Sequence, residues 1–303
     1  MISLPPAVAS SAKLYLPSPN CPPPFPNPRK PLLSLPANSC DSHCHVLGPW
    51  PKFPYASNRT FTPQDAPKEQ LLALYDLLGI ERGVVVQSSC NGSDHSVLLD
   101  ALRFAPDRLR GVSLIDQSMT YTYLEELHLA GVRGFRLNFL PHLRKAPDPA
   151  EIYALTEKAR EFAWHAEVHV QGNEIADHKE LIASLRAPVV IDHMGRVDLA
   201  QGLSSPSVRA MLELMDTGGV WVKVSGIDRV STDRVAYRDG IALAALLVRH
   251  APDRVLWGTD YPHVNIADDA PDDGLLVDLL GEIAPGPLLE KLMVANPAEF
   301  FGF

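Results

Sequence analysis

The stretch Asp41-Ser42-His43-Cys44-His45-Val46 is the first of a series of short β-strand patterns in this 303-residue sequence. Successive side chains of a strand point to opposite faces, so His43 and His45 share one face. Burying two neighbouring imidazoles is costly unless they have a partner. The stretch therefore predicts a shared metal ion, with a pair of hydrogen-bonded core histidines as the alternative.

Downstream of this strand, β-branched runs alternate with longer segments of helical period, which is typical of repeated βα units around a parallel sheet. Eight strands close a barrel of this kind, and one such barrel of about 250 residues forms a single domain. The sequence therefore predicts an α/β fold, a (β/α)8 TIM barrel. The predicted strands are Asp41–Val46, Gly83–Ser88, Leu109–Ile115, Arg133–Asn138, Ala166–Val170, Val189–Asp192, Val220–Ser225 and Arg254–Gly258.

Three segments between the strands have the clearest amphipathic helical period. They are Glu69–Leu78, Asp148–Phe162 and Tyr237–His250, and we expect them on the outside of the barrel. The segment Leu47–Pro67 is long for a βα loop and follows the first strand, where loops of a barrel form the rim of the active site. We expect it to form a wall or a lid.

The first 39 residues contain eleven of the 28 prolines. Proline disrupts helices and interior strands, so residues 1–39 should form an extended arm and residues 40–303 the barrel domain. Apolar side chains could anchor this arm on the barrel or on a second subunit of a homo-oligomer. These side chains are Leu14, Tyr15, Leu16 and Phe25.

The overall composition excludes several classes of protein. A formal charge of -9 argues against a nucleic-acid partner, which requires a basic surface. Four cysteines without a CxxC pair do not form a disulfide framework, and no apolar run reaches the length of a membrane span. With no leader pattern at the N-terminus, we expect a cytoplasmic protein that binds a small molecule and no membrane.

Three further polar residues lie near the carboxyl ends of predicted strands, where barrel enzymes keep their reactive groups. His169 is in the fifth strand, His193 follows the sixth, and Asp260 follows the eighth. Each alone is more typical of a core histidine or a helix cap. Together with His43 and His45 they predict a nitrogen and oxygen site suited to zinc or a similar divalent ion.

These motifs resemble the amidohydrolase superfamily. The resemblance is closest to the branch of the 2-pyrone-4,6-dicarboxylate lactonases, which also contains the 4-sulfomuconolactone hydrolases, and it runs from about residue 38 to the C-terminus. The motifs are Asp41-Ser42-His43-Cys44-His45, Gln87-Ser88-Ser89-Cys90, Arg133-Gly134-Phe135-Arg136-Leu137-Asn138-Phe139, Asp192-His193-Met194-Gly195-Arg196, Trp257-Gly258-Thr259-Asp260-Tyr261-Pro262-His263 and Pro271-Asp272-Asp273-Gly274-Leu275.

The resemblance implies a role for each matching residue. Asp260 would be the general base that takes a proton from the attacking water, and His193 would act beside it as an electrophile or acid–base partner. Arginines would hold the acidic groups of the substrate, because a guanidinium matches a carboxylate or sulfonate in two hydrogen bonds. The substrate-binding residues would be Arg136, Arg196, Arg229, Ser89, His263 and His142.

Two departures favour the metal-dependent members of this branch. The pyrone lactonases work without a metal and carry a tyrosine where this chain has His169. They also place an arginine after the fourth strand, where this chain has Pro141-His142 and a nearby Arg144 as a possible substitute. The resemblance therefore implies zinc or manganese held by His43, His45, His169 and Asp260.

The expected function is metal-dependent hydrolysis of an anionic unsaturated lactone in aromatic-compound catabolism, most like that of the 4-sulfomuconolactone hydrolases. A lactone is an activated ester, so no acyl-enzyme is required, and Gly-x-Ser-x-Gly is absent. Three alternatives stay open: a metal-independent pyrone dicarboxylate lactonase, a metal-dependent decarboxylase of the same superfamily, and a non-catalytic anion-binding barrel.

Overall fold

The computed structural model describes residues 20–140, 143, 148–266 and 269–303. Eight strands form one sheet in the order β1 to β8, and each is parallel to the next. The predicted (β/α)8 TIM barrel is thereby confirmed. The strands are β1 Cys40–Cys44, β2 Arg82–Val86, β3 Leu109–Ser113, β4 Val132–Asn138, β5 His165–His169, β6 Val189–Ile191, β7 Val220–Lys223 and β8 Val255–Leu256.

Helices connect the strands and surround the barrel, with their apolar stripes facing the sheet. All three predicted amphipathic helices are present, as α1, α4 and α9. The helices are α1 Lys68–Leu78, α2 Ser96–Phe104, α3 Tyr121–Leu129, α4 Pro149–Arg160, α5 Glu174–Asp177, α6 Lys179–Ser184, α7 Pro206–Asp216, α8 Ile227–Val230, α9 Arg238–His250, α10 Asp273–Ile283, α11 Pro287–Glu290 and α12 Asn296–Phe301. None of the described helices is long and apolar enough to span a bilayer.

The barrel closes where β8 meets β1, and a buried carboxylate lies at this seam. Backbone hydrogen bonds join Ser42 N to Trp257 O at 2.7 Å and Asp260 N to His43 O at 2.8 Å. The side chain of Asp41 accepts hydrogen bonds from Thr259 N at 3.0 Å and from Thr259 Oγ1 at 2.6 Å. Because β1 carries His43 and the chain after β8 carries Asp260, this seam sets the distance between them.

Thr259→Val is expected to lower the free energy of unfolding by about 1–3 kcal/mol, because it leaves a buried carboxylate with one donor fewer. The Thr259 hydroxyl also accepts the N–H of Tyr261 at 3.0 Å, and this bond would be lost too. Urea unfolding measures the change. Thr122→Val, at an exposed position of α3, is the control and should shift the midpoint little. Equal midpoints for both variants would contradict this role for the seam.

Residues 20–39 contain no helix and no strand, and they lie along the outside of the barrel. Asp278 of α10 accepts the backbone N–H groups of Leu32 and Leu33, and it pairs with the Arg29 guanidinium at 3.0 Å. Of the side chains expected to anchor the arm, Phe25 is 37% exposed. Leu14, Tyr15 and Leu16 lie outside the described residues. Polar contacts with α10 therefore hold this part of the arm.

The loop between β1 and α1 is closed at its base, where Leu47 and Ala66 pair in an antiparallel bridge. Its far side carries Phe61, which is buried and faces the cavity at the carboxyl ends of the strands. Asn20 of the arm binds the same loop, since Thr62 N donates to Asn20 Oδ1 at 2.6 Å. The loop thus forms one wall of that cavity.

Candidate active site

A carboxylate and several imidazoles meet at the carboxyl ends of the strands. Oδ1 of Asp260 lies 3.4 Å from Nε2 of His45, 3.7 Å from Nε2 of His43 and 3.8 Å from Nε2 of His193. All four residues are buried. These four residues lie up to 217 positions apart in the sequence. They come together because each lies near or just beyond the carboxyl end of a strand of the same barrel.

The two histidines of the first motif are oriented by the backbone and by buried charges. Nδ1 of His45 donates to the carbonyl of Val86 on β2 at 2.6 Å, so its Nε2 carries the lone pair. The His43 ring meets the His45 ring edge-on, with centroids 5.2 Å apart. Nε2 of His43 is buried and has no hydrogen-bond partner among the described residues. The predicted common face is therefore present.

His169 ends β5 beside Asn138, its neighbour in the sheet at the end of β4. Nδ1 of His169 lies 3.0 Å from Oδ1 of Asn138 and donates to it. Its Nε2 is buried without a hydrogen-bond partner among the described residues. The ring reaches the cluster through His193, with centroids 5.6 Å apart.

The segment after β6 has an unusual backbone. His193, Met194, Gly195 and Arg196 follow one another with φ values of 49°, 52°, 64° and 44°. Left-handed conformations cost roughly 1–2 kcal/mol per non-glycine residue, so tertiary contacts must hold this turn. One such contact joins Nδ1 of His193 to Oγ of Ser225 at 3.0 Å. The turn allows both His193 and Arg196 to face the cavity.

Arg229 holds the other oxygen of Asp260. Its Nε donates to Oδ2 at 2.5 Å, and its Nη2 donates to Val264 O at 2.9 Å. Burial alone would raise the pKa of Asp260, but the guanidinium of Arg229 and the imidazole of His193 hold that pKa well below its usual value. Oδ1 has no hydrogen-bond partner among the described residues. Asp260 is thus an ionised carboxylate with one oxygen fixed and one directed at the histidines.

His43, His169 and His193 are neutral at neutral pH. Burial lowers the pKa of His43 and His169 well below 6.5, and it lowers the pKa of His193 to about 3. A neutral imidazole can coordinate a metal through one nitrogen while the other makes a hydrogen bond. His45 and His169 already have this arrangement.

The cluster fits a divalent cation. With bonds of about 2.0–2.1 Å, tetrahedral ligand atoms are about 3.3 Å apart, and the distances around Asp260 Oδ1 are close to this value. His43, His193 and Asp260 form one buried group whose ligand atoms lie within 4.8 Å of one another. Buried polar atoms of Asp260, His43 and His169 that have no hydrogen-bond partner within the described ranges also point to such an ion.

The three arginines predicted to bind substrate differ in their surroundings. Arg136 donates from Nε to Asp192 at 2.8 Å, and Arg229 is paired with Asp260. The Arg196 guanidinium has no hydrogen bond or ion pair with any described residue, and burial together with Arg229 lowers its pKa to about 10. All three border one cavity of about 30 Å³ that also contains Asp260. Arg196 is therefore a charged group in this cavity that pairs with none of the described residues.

The other predicted substrate contacts have different positions. Ser89 borders this cavity and a neighbouring one of about 500 Å³. His263 lies behind Asp260, where its Nε2 contacts Oδ1 of Asp273 at 3.0 Å and its backbone N–H donates to Asp260 O. It borders neither cavity. His142 and Arg144 lie outside the described residues.

A group of buried charges lies beneath the histidines, and it was not among the predicted site residues. Lys223, Glu167 and Asp192 are all buried and surround Nδ1 of His43. Their signal in the sequence is a charged residue inside a strand otherwise made of apolar residues, as in Val220-Trp221-Val222-Lys223. Parallel strands of a barrel are buried on both faces, so such a residue requires an internal partner.

Comparisons with known proteins agree with this geometry. A family model described as amidohydrolase matches residues 40–303. A 2-pyrone-4,6-dicarboxylate hydrolase of Comamonas testosteroni is 40% identical over 287 residues, which are 91% of this chain and 94% of the relative. A 4-sulfomuconolactone hydrolase of Rhizobium radiobacter is 40% identical over 273 residues, 89% of this chain and 91% of the relative. A crystal structure from Agrobacterium tumefaciens superposes with a TM-score of 0.81 at 28% identity, covering 90% of this chain and 98% of the other.

Proposed function

Since the chain belongs to the amidohydrolase family, we propose that it hydrolyses an anionic unsaturated lactone from aromatic-compound catabolism, most like the substrate of a 4-sulfomuconolactone hydrolase. One observation carries the proposal. Asp260, an ionised carboxylate, and Arg196 border the same cavity, and neither Oδ1 of Asp260 nor the Arg196 guanidinium has a hydrogen-bond partner among the residues that the structure describes. Such a pair suits a substrate that is attacked by water and carries an acid group.

Asp260 serves as the general base. Oδ1 accepts a proton from the water that attacks the lactone carbonyl, while Arg229 keeps Oδ2 in place. When the ring C–O bond breaks, the former ring oxygen becomes an alkoxide or enolate. It takes up the proton that Asp260 has accepted from the water. Asp260 is buried, so bulk water does not compete for the proton that it carries.

His193 faces the carbonyl oxygen. Its Nδ1 is engaged by Ser225 at 3.0 Å, and its Nε2 is directed towards Asp260 at 3.8 Å. A neutral imidazole there can donate a hydrogen bond as negative charge develops on the carbonyl oxygen. The left-handed turn fixes the ring in place before the substrate arrives.

We further propose that zinc or manganese is held by His43, His45, His169 and Asp260, with His193 adjacent. A divalent ion at this position would polarise the carbonyl and lower the pKa of its water towards about 7. Support comes from the spacing around Asp260 and from the buried Nε2 atoms of His43 and His169, which have no hydrogen-bond partner among the residues described.

Arg196 is the principal contact for the acid group of the substrate. A guanidinium presents two parallel N–H donors to a carboxylate or sulfonate. Arg136 and Arg229 border the same cavity, and the parts of their guanidinium groups not bound to Asp192 and Asp260 can add further bonds. Ser89 borders the same cavity and can contribute a hydroxyl.

Arg196→Gln is expected to raise KM for acid-bearing lactones about 10–100-fold, since a hydrogen bond to a charged group contributes about 1.5–3 kcal/mol. Stability should change little, because the guanidinium makes no hydrogen bond or ion pair with the described part of the chain. Steady-state kinetics measure the change. Arg209→Gln, at an exposed position of α7, is the matched control. Unchanged KM in the Arg196 variant would remove this residue from substrate recognition.

The proposed function is tested by an ultraviolet-monitored turnover panel of 4-sulfomuconolactone, 2-pyrone-4,6-dicarboxylate and simple sugar lactones, each with and without added zinc. We expect turnover of an acid-bearing unsaturated lactone and little turnover of the sugar lactones. Dependence on zinc separates the proposed reaction from that of a metal-free pyrone lactonase. Tight binding of these lactones without turnover would instead identify a non-catalytic anion-binding barrel.

A further inference from the structure

A lysine is completely buried below the candidate active site. Lys223 ends β7 with a relative exposure of 0%, and its Nζ contacts an oxygen of Glu167 on β5. The same Nζ lies 3.4 Å from Oδ1 of Asp192 and 3.1 Å from Nδ1 of His43. An ammonium has three N–H donors, and the oxygens of Glu167 and Asp192 are acceptors for two of them.

This lysine belongs to a charge-balanced group. Lys223 and Arg136 are the cations, and Glu167 and Asp192 are the anions, with Arg136 Nε 2.8 Å from Asp192 Oδ2. Nζ of Lys223 lies 3.4 Å from the other oxygen, Oδ1, so each oxygen of Asp192 has a cation beside it. Asp192 is therefore available as an ionised acceptor facing His43, whose Nδ1 lies 3.3 Å away.

Stability alone gives a poor reason for such a group. Removing two charges from water costs several kcal/mol per ion, and apolar residues of similar volume often stabilise a core equally well. The surrounding strands supply such residues, including Val190 and Val222, which are both 0% exposed. The polar group is instead placed under one ring, that of His43.

His43 has two distinct sides. On the Nδ1 side lie Lys223 and Asp192, and on the Nε2 side lies the cavity with Asp260 at 3.7 Å. When Nδ1 of His43 carries the ring proton and donates it to Asp192, the lone pair is on Nε2 and is directed at the cavity. Partners of this kind behind a histidine fix its orientation and tautomer.

We propose that Lys223, anchored on Glu167, is a positioning residue that holds Asp192 and the His43 ring so that Nε2 of His43 faces Asp260. The inference rests on the proposed function, because it assigns His43 to that site. Lys223 does not touch the cavity, so its effect on substrate passes only through His43 and Asp192.

The test uses variants that separate position from stability. Lys223→Met leaves Glu167 as an unpaired buried charge and should destabilise the fold. The double variant Lys223→Met/Glu167→Leu removes both charges, and its urea midpoint should return towards the native value. Lys179→Met/Glu213→Leu removes another lysine–glutamate pair, on the exposed surface, and is the matched control.

In the double variant we expect kcat to fall about 10–100-fold while KM changes less than about threefold. Zinc affinity, measured without substrate by competition with a chromophoric chelator, should fall at least about tenfold. The surface control should keep native values of kcat, KM and zinc affinity. A double variant with a native-like midpoint, native kcat and native zinc affinity would overturn the proposal.

If the double variant does not fold, Glu167→Gln carries the same test, because it keeps the side-chain volume and weakens only the anchor of Lys223. A loss of zinc affinity and kcat supports the proposal, and native values for both overturn it. Failure of the proposed function is recognised separately, since wild-type protein would then turn over no lactone while the zinc measurement would still report on His43.

Discussion

Asp260→Asn is expected to lower kcat/KM by about 10³-fold, the middle of the range for loss of a general base. The amide keeps the shape of the side chain, but it cannot take a proton from water. The substitution also removes the negative charge that pairs with Arg229 at 2.5 Å and that faces three imidazoles. Steady-state rates with the best lactone of the panel measure the effect.

The control for this substitution is Asp216→Asn. Asp216 is exposed on the outer surface at the end of α7, and it pairs with His250 at 2.8 Å. Its variant should keep native rates. Circular dichroism should show the same fold for both variants. An Asp260→Asn protein that retained a tenth or more of the native kcat/KM would exclude Asp260 as the base, given the contribution of about 10²–10⁴-fold expected for such a group.

Removal of the divalent ion by a chelator is expected to abolish turnover, and His169→Ala is expected to lose bound metal. Nε2 of His169 is buried and has no hydrogen-bond partner in the described part of the chain, so a protein that uses it only as a core residue would bear an uncompensated polar atom. Elemental analysis and activity before and after chelation and zinc readdition measure both effects.

His250→Ala is the matched histidine control. His250 lies on the surface, far from the carboxyl ends of the strands, so its variant should retain the native metal content. Full activity of metal-stripped wild-type protein would contradict the metal assignment. The chain would then work as a metal-free pyrone dicarboxylate lactonase, with His43, His45 and His193 around the scissile carbonyl.

The fold could be predicted because its signals are local and repeated. Each of the eight strands coincides with a predicted one, since runs such as Gly83-Val84-Val85-Val86 are buried on both faces of a parallel sheet. Several predicted strands extend beyond the ends of the observed strands. Val189–Asp192 stops at Ile191, because the chain then enters the left-handed turn at His193, which no propensity scale anticipates.

The site could be predicted only in part. The strand positions of His43 and His45 follow from their spacing, and the carboxyl ends of strands collect His169, His193 and Asp260. Which charges pair with one another could not be read from the sequence. Arg229 is 31 residues from Asp260, and the Lys223 group joins residues up to 180 positions apart.

Two other reactions have distinct products. A decarboxylase built on the same ligand set would release carbon dioxide, and an isomerase would return a lactone of unchanged mass. Hydrolysis adds one water to the substrate and releases no gas. The chemistry at Asp260 can therefore be followed through the oxygen of that water.

The most direct measurement is turnover of the preferred lactone in water enriched in oxygen-18, with the product analysed by mass spectrometry. Attack of water on the carbonyl, assisted by Asp260, predicts one labelled oxygen per molecule, located in the newly formed carboxylate, and no carbon dioxide. Release of carbon dioxide, an isomeric lactone without label, or label only in the hydroxyl group would contradict the account.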